Sequence, residues 1–158
     1  MTPKSLLRNP DARSKISDFT SGHFLETLDD TRISDRDSVK RVVLCTGKIG
    51  LTLMNHRDER EADVAIVRLE QLYPFPEAQL YEILDGYPNA DEVMWVQDEP
   101  ENMGAWWFVY GNIRPDLADR LELRRAARAE SGSPATGSPT VHEQEGGELL
   151  DKALNFDS

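Results

Sequence analysis

Two stretches of this 158-residue chain combine residue types that could do chemistry. The first is Asp98-Glu99-Pro100-Glu101-Asn102-Met103-Gly104-Ala105-Trp106-Trp107, which sets three carboxylates beside an aromatic run. Carboxylates at that density could take a metal ion, but Asp98, Glu99 and Glu101 lack further ligands close by, so no metal site is expected. The plainer expectation is that one of them caps a helix starting near Trp106, where the helix N-terminus favours an anion. Trp106, Trp107, Phe108 and Tyr110 point in several directions around such a helix. One face then has to be covered outside a single core, as aromatic interface centres are.

The second stretch is Arg124-Arg125-Ala126-Ala127-Arg128, followed by Ser131, Gly132, Ser133, Thr136, Gly137 and Ser138. Guanidinium forks match phosphate geometry, and a Gly/Ser loop adds backbone N–H and hydroxyl donors. Together they suit a phosphorylated small molecule or nucleotide, with Gly47 and Lys48 contributing from the end of a neighbouring strand. The competing reading of the same text is a solvated arginine run ahead of a flexible linker.

No catalytic residue is expected. His23, His56 and His142 lie on separate segments with no metal-ligand spacing. Cys45 sits inside a strand pattern, where a buried, inert thiol is the expected state. There is no GxSxG elbow, no GxGxxG or Walker motif, and no GDG followed by an asparagine to hold a metal–diphosphate cofactor.

The elements that must position these residues follow from periodicity. Arg41 to Thr46, Asp63 to Leu69 and Glu92 to Gln97 are β-branched and apolar runs of the kind buried on both faces of a parallel sheet. Helices are expected over 49–59, with Ile49, Leu53 and Met54 inward, and over 76–84, with Leu80, Ile83 and Leu84 inward. Pro76 opens the second of these, and Gly86 followed by Pro88 ends it. Residues 98–104 read as a polar loop, 105–112 as an aromatic helix, and Leu121-Glu122-Leu123 starts a short fourth strand. A Ser/Gly/Pro/Ala loop over 129–139 precedes a last helix capped by Thr140 and running to about Leu154. Strands alternating with helices at this spacing imply an α/β fold with a mostly parallel sheet between two helical layers. Residues 1–40 form an extended, loop-rich lead-in, with a short helix opening near Ser17.

The composition narrows the classes. Hydrophobic residues make up 39% and charged residues 30%, which excludes collagen, coiled coil and disulfide scaffolds and argues against disorder throughout. Eighteen basic residues against twenty-nine acidic ones give a net charge of −11, unlike a nucleic-acid-binding surface. The acidity is local, because residues 61–110 hold one basic and eleven acidic residues, net −10. The longest uncharged apolar run, Ala105 to Tyr110, falls far short of the ~20 residues of a membrane span. No secretory signal is visible and the single cysteine implies a reducing compartment, so a cytoplasmic location is expected.

MTPKSLLR, RVVLCTGKIG, DVAIVRLEQLYPFP, WVQDEPENMGAWW and RRAARAESGSPATG, in this order, closely resemble the C-terminal domain of the 2-oxoglutarate dehydrogenase decarboxylating (first) component, in its bacterial form. EQLYPFP and DEPENMGAW are the specific stretches. The strand texts alone suggest only a transketolase-like C-terminal domain. The resemblance implies a three-layer α/β/α domain over residues 41–158 behind an N-terminal arm of residues 1–40. It implies no cofactor in this chain, since thiamine diphosphate and Mg²⁺ sit in the two preceding domains of a homodimer. The full enzyme decarboxylates 2-oxoglutarate and transfers succinyl to lipoate on a partner succinyltransferase component. This domain would supply dimer contacts and border the active site through Glu99, Asn102, Gly104, Trp106 and Trp107. An allosteric site for acetyl-CoA or AMP would use Thr46, Lys48, Arg124, Arg125, Arg128, Ser131 and Ser133. Acetyl-CoA-activated relatives carry two arginines where this chain has Arg128 and Ala129. The chain is then part of a longer enzyme and inactive by itself. The different-class alternative is a stand-alone regulatory module that binds a CoA ester or adenine nucleotide.

Overall fold

The β-branched runs pair at the centre of a five-stranded sheet. The computed structural model describes residues 4–117 and 120–156. The first three residues of the MTPKSLLR stretch and the last two of the expected 41–158 domain lie outside the described residues. Short 3-10 turns at Lys4–Leu6 and Pro10–Ala12 precede α1 (Ile16–Thr20) and β1 (Thr27–Leu28). Then come β2 (Arg41–Cys45), α2 (Lys48–Arg60), β3 (Val64–Leu69), α3 (Glu77–Asp85), β4 (Glu92–Pro100), α4 (Trp106–Leu117), β5 (Glu122–Arg128) and α5 (Pro139–Leu154). The strand order is β1-β3-β2-β4-β5; β2 to β5 run parallel and β1 antiparallel to β3.

Both faces of the sheet are covered, which is why its central strands carry continuous apolar runs (Val42 to Cys45, Val64 to Val67, Val93 to Val96) rather than alternating. On one face Val42, Leu44, Val67, Val93 and Trp95 pack with Leu80 and Leu84 of α3 and Val109 and Ile113 of α4. On the other, Val43, Ile66, Met94 and Val96 pack with Leu53 and Met54 of α2 and Leu149, Leu150 and Ala153 of α5. The three-layer mixed α/β expectation therefore holds for the described residues. Cys45 lies fully buried in the second layer, where loss of solvent pushes its thiol pKa up to about 12 and leaves it inert at neutral pH.

Four expectations change. First, the lead-in contributes to the sheet, because Thr27 and Leu28 form the antiparallel edge strand. A buried ion pair anchors it: Arg57 Nη1 of α2 donates to Asp30 Oδ2 at 3.0 Å, and the same oxygen accepts the Ile66 backbone N–H of β3 at 2.9 Å. Second, the first three residues of the text read as a polar loop, Asp98 to Pro100, are strand, since β4 continues through an irregularity after Val96 to pair Pro100 with Arg128. Third, the fourth parallel strand that the sequence starts at Leu121 begins one residue later, at Glu122, and runs seven residues to Arg128. It is an edge strand, and edge strands carry charges that discourage further pairing, so its arginines disguise it. Fourth, Ser138 rather than Thr140 caps α5, its Oγ accepting from the Val141 N–H at 3.5 Å with Pro139 in the first turn.

Candidate functional site

The parallel strands β3, β2, β4 and β5 all end on one side, and the chain leaves β2 for α2 on one face of the sheet but β4 for α4 on the other. The crevice between β2 and β4 is thus the topological switch point, where open α/β sheets hold their ligands. Thr46, Gly47 and Lys48 follow β2 there, and residues 101–105 follow β4.

Gln97 organises this end of β4. Its side chain, 1% exposed, accepts hydrogen bonds at Oε1 from Trp95 Nε1 (2.9 Å) and from the Trp106 N–H that opens α4 (3.1 Å). Its Nε2 donates to the carbonyls of Met103 (2.7 Å) and Pro100 (2.9 Å). An amide does this because it carries both an acceptor and two donors; a carboxylate has no donor for the two carbonyls. The start of α4 is therefore held by Gln97, and not by one of the three nearby carboxylates as expected. Gly104 has φ +70°, and a Cβ there would lie 2.9 Å from the Gln97 amide, so only glycine lets the chain turn over this residue.

The carboxylates have separate fates. Asp98 pairs with Arg128 (2.9 Å) and Glu101 with Arg125. Glu99 is exposed and its carboxylate has no partner among the described residues. Across the loop, Asn102 exchanges hydrogen bonds with the Ser131 backbone, donating to its carbonyl at 3.0 Å and accepting its N–H at 3.1 Å.

The arginine cluster does not converge, because β5 is a strand and alternates its side chains. Arg125 lies on the α4 face, over the Trp106 ring at 5.3 Å. Arg124 and Arg128 take the opposite side but sit at opposite ends of β5. Arg124 pairs with Glu122 (2.9 Å) and faces Glu92 (3.6 Å), at the strands' amino ends. Arg128 is buried at the carboxyl ends. It donates to the Asp98 carbonyl (2.9 Å) and carboxylate, to Glu145 of α5 (2.8 Å) and to the His142 carbonyl (3.2 Å). Burial opposes its charge, yet Asp98 and Glu145 outweigh that and raise its pKa. Ser133 hydrogen-bonds within its own loop, its N–H to Ser131 Oγ and its hydroxyl to the Ala135 carbonyl.

Two hollows flank the switch point. One, about 360 Å³, opens between α2 and α5; its charged and histidine lining residues are Lys48, His56, Arg128 and His142 with the carboxylates Asp98 and Glu143. The sequence placed His56 and His142 on unrelated segments, and no spacing signal joins them. The other, about 450 Å³, lies on the α4 side and is lined by Thr46, Leu72, Tyr73, Trp95, Glu99 and Phe108. Thr46 and Lys48 therefore serve different hollows. The two tryptophans also part, Trp106 being buried at 2% and Trp107 exposed at 61%. Among the described residues no group of three or more histidine, cysteine or carboxylate side chains is placed to hold a metal ion, and no helix is long and apolar enough to cross a membrane.

Fold and site together define a helix-covered parallel α/β domain with ligand-sized hollows at its switch point. Residues 13–154 match the family described as 2-oxoglutarate dehydrogenase C-terminal. The 2-oxoglutarate dehydrogenase E1 component of Cupriavidus necator is 48% identical over 155 residues, covering 98% of this chain and 16% of that protein. Those of a Geobacillus species (40% identical; 98% of this chain, 16% of the relative) and an Exiguobacterium species (39%; 99% and 17%) are similar in the same way. The chain belongs to the 2-oxoglutarate dehydrogenase C-terminal family, and it spans about a sixth of the length of these bacterial relatives.

Proposed function

We propose that this chain acts as the C-terminal, transketolase-like domain of a 2-oxoglutarate dehydrogenase decarboxylating component, in a homodimer that passes succinyl to a lipoyl-bearing partner. The observation that carries this reading is the family match over residues 13–154 with relatives of that activity. The donor set agrees with a supporting rather than a catalytic role. Thiamine diphosphate with Mg²⁺ does not fit the residues present, because Asp98 and Glu101 are already committed to arginines and Glu99 stands alone. That cofactor is assigned to the preceding domains. Within the Glu99–Trp107 segment, Trp107 is the aromatic side chain free to meet another subunit, while Asn102, Gly104 and buried Trp106 hold the loop in shape.

The test is a chimera in which this chain replaces the C-terminal domain of the Cupriavidus necator relative. With the other components of the complex added, it is expected to restore 2-oxoglutarate-dependent NADH formation, which the chain alone does not support. A folded chimera that binds thiamine diphosphate but produces no NADH would overturn the reading.

The hollow between α2 and α5 is the part of this domain suited to an anionic effector such as AMP or acetyl-CoA. Lys48 is exposed there at the N-terminal turn of α2, whose free N–H groups favour an anion. Arg128 lines the wall while clasping Asp98 and Glu145, so an effector phosphate would have to share it. Lys48→Ala is expected to weaken binding of either nucleotide about tenfold, ~1.4 kcal/mol, in titration calorimetry. Unchanged affinity would remove the hollow from consideration.

A further inference from the structure

The α4-side hollow has a chemistry the effector reading does not use. Its walls are Leu72, Tyr73, Trp95 and Phe108, and among the described residues its one charged lining residue is Glu99, the unpaired carboxylate of the strand-end segment. Phe75 packs edge-on against Phe108, with ring centroids 6.2 Å apart, which fixes the rim. Tyr73 is 83% exposed and Phe108 40%, so aromatic surface stands open to water around one uncompensated negative charge. A lysine or arginine side chain suits such a place: its methylene stem covers apolar wall, its head reaches the carboxylate, and exposed ring faces attract it.

A second hollow adjoins it across the Tyr73–Pro76 turn, lined by Pro74, Phe75 and Pro76 with Glu26 and Glu77. It too has no basic lining residue among the described residues. Glu26 accepts a hydrogen bond from Gln79 at 3.0 Å, whereas the Glu77 carboxylate is exposed and has no partner among the described residues. Two aromatic, acid-bearing hollows on either side of one proline-rich turn fit an extended polypeptide better than a single small cation. Residues 61–110, which supply most of this surface, have a net charge of −10. With Glu99 and Glu77 unpaired in it, that charge attracts a basic partner.

We propose that the Tyr73–Pro76 turn, with its flanking hollows, is a docking surface for an extended basic segment of another protein, which seats one cationic side chain beside Glu99 and another beside Glu77. This goes beyond the domain's part in decarboxylation and does not depend on it.

The probe is a fluorescein-labelled peptide of repeating Lys-Leu dipeptides, titrated into the full chain and followed by anisotropy, with a Glu-Leu peptide as its opposite. The Lys-Leu peptide is expected to bind in a salt-sensitive manner. Glu99→Gln and Glu77→Gln are each expected to weaken it about fivefold, and Phe108→Ala by a similar factor. Glu82→Gln, an exposed carboxylate of the same acidic block, is expected to change affinity less than about twofold, within the range of a long-range screened charge. Backbone amide shifts on binding should centre on residues 71–77 and 99–108. Three results would each overturn the proposal: an equal loss from Glu82→Gln, binding of the Glu-Leu peptide as tight as that of Lys-Leu, or displacement of the peptide by n-butylamine at comparable concentration. The first two would mean that site chemistry is irrelevant, and the third that the pocket takes a small cation.

Discussion

Asp30→Ala is expected to cost about 3–5 kcal/mol of folding stability, the range for removing one partner of a buried ion pair. The Asp30 side chain is 0% exposed and that of Arg57 5%, so neither charge can recover solvent if the other is lost. The substitution leaves the Ile66 N–H without its acceptor inside the sheet, and Arg57 with Asp58 (2.6 Å) and the Val64 carbonyl (2.8 Å). Against a total stability of 5–15 kcal/mol for ordinary domains, about 4 kcal/mol is a large fraction. The same residue ties three parts of the chain together: the segment after β1, helix α2 and strand β3. Detachment of residues 27–30 should therefore accompany the loss, seen as faster amide exchange at Thr27 and Leu28 and at their β3 partners Leu69 and Arg68. Urea unfolding measures the cost. A change below about 1 kcal/mol would place the pair with weak surface ion pairs and refute the anchoring role. The double change Asp30→Leu with Arg57→Met should recover much of the loss, because the buried charge is then gone rather than orphaned.

The second large effect is expected at Gln97. Gln97→Leu keeps the size of the side chain but strips acceptors and donors from Trp95 Nε1, the Trp106 N–H and the carbonyls of Pro100 and Met103. A buried polar group left unpaired costs ~1–3 kcal/mol, and the loop can turn some of these groups to water, so a net loss of about 3 kcal/mol is expected. Because Trp95 is fully buried beside Gln97, its fluorescence should redden as water reaches the indole. Gln97→Glu separates the two halves of the role. The introduced carboxylate can still accept from Trp106 but faces the Met103 and Pro100 carbonyls without a donor when ionised. Its pKa in the folded state should be raised, so stability should improve as pH falls and the group gains a proton that can serve as that donor. A pH-independent loss in Gln97→Glu would show that the two carbonyls are not held by the amide.

Much of the fold is legible in the residues, and the exceptions have specific causes. RVVLC and VAIVRL are legible as strands because each holds a run of consecutive apolar residues rich in valine and isoleucine, the imprint of burial on both faces. The start of β5 is legible but its RRAAR part is weakly marked, because the edge of a sheet buries fewer of its residues, here only Ala126 and Arg128. The end of β4 is hidden because DEP is polar and contains a proline, which ordinarily argues against a strand. Thr27 and Leu28 are too short a signal for a strand, and their place depends on Asp30, whose partners lie 27 and 36 residues away.

The candidate site was legible in residue type and misleading in arrangement. The segment from Asp98 to Trp107 and the arginines of 124–128 are where the residues placed them, at the ends of β4 and along β5. The sequence alone determined a parallel α/β domain of the 2-oxoglutarate dehydrogenase C-terminal kind, because burial on both faces leaves a continuous apolar imprint and the specific stretches lie in a fixed order. Tertiary structure alone decided which charges are spent. Strand alternation sends Arg125 away from Arg128, folding brings Asp98 and Glu145 onto Arg128, and Gln97 takes the capping role that three carboxylates could have filled. Pairing of that kind is set by distances of about 3 Å between residues far apart in the chain, on which local periodicity leaves no mark. Glu99, chemically the same as its neighbours in the sequence, is the carboxylate of that segment left free in the fold.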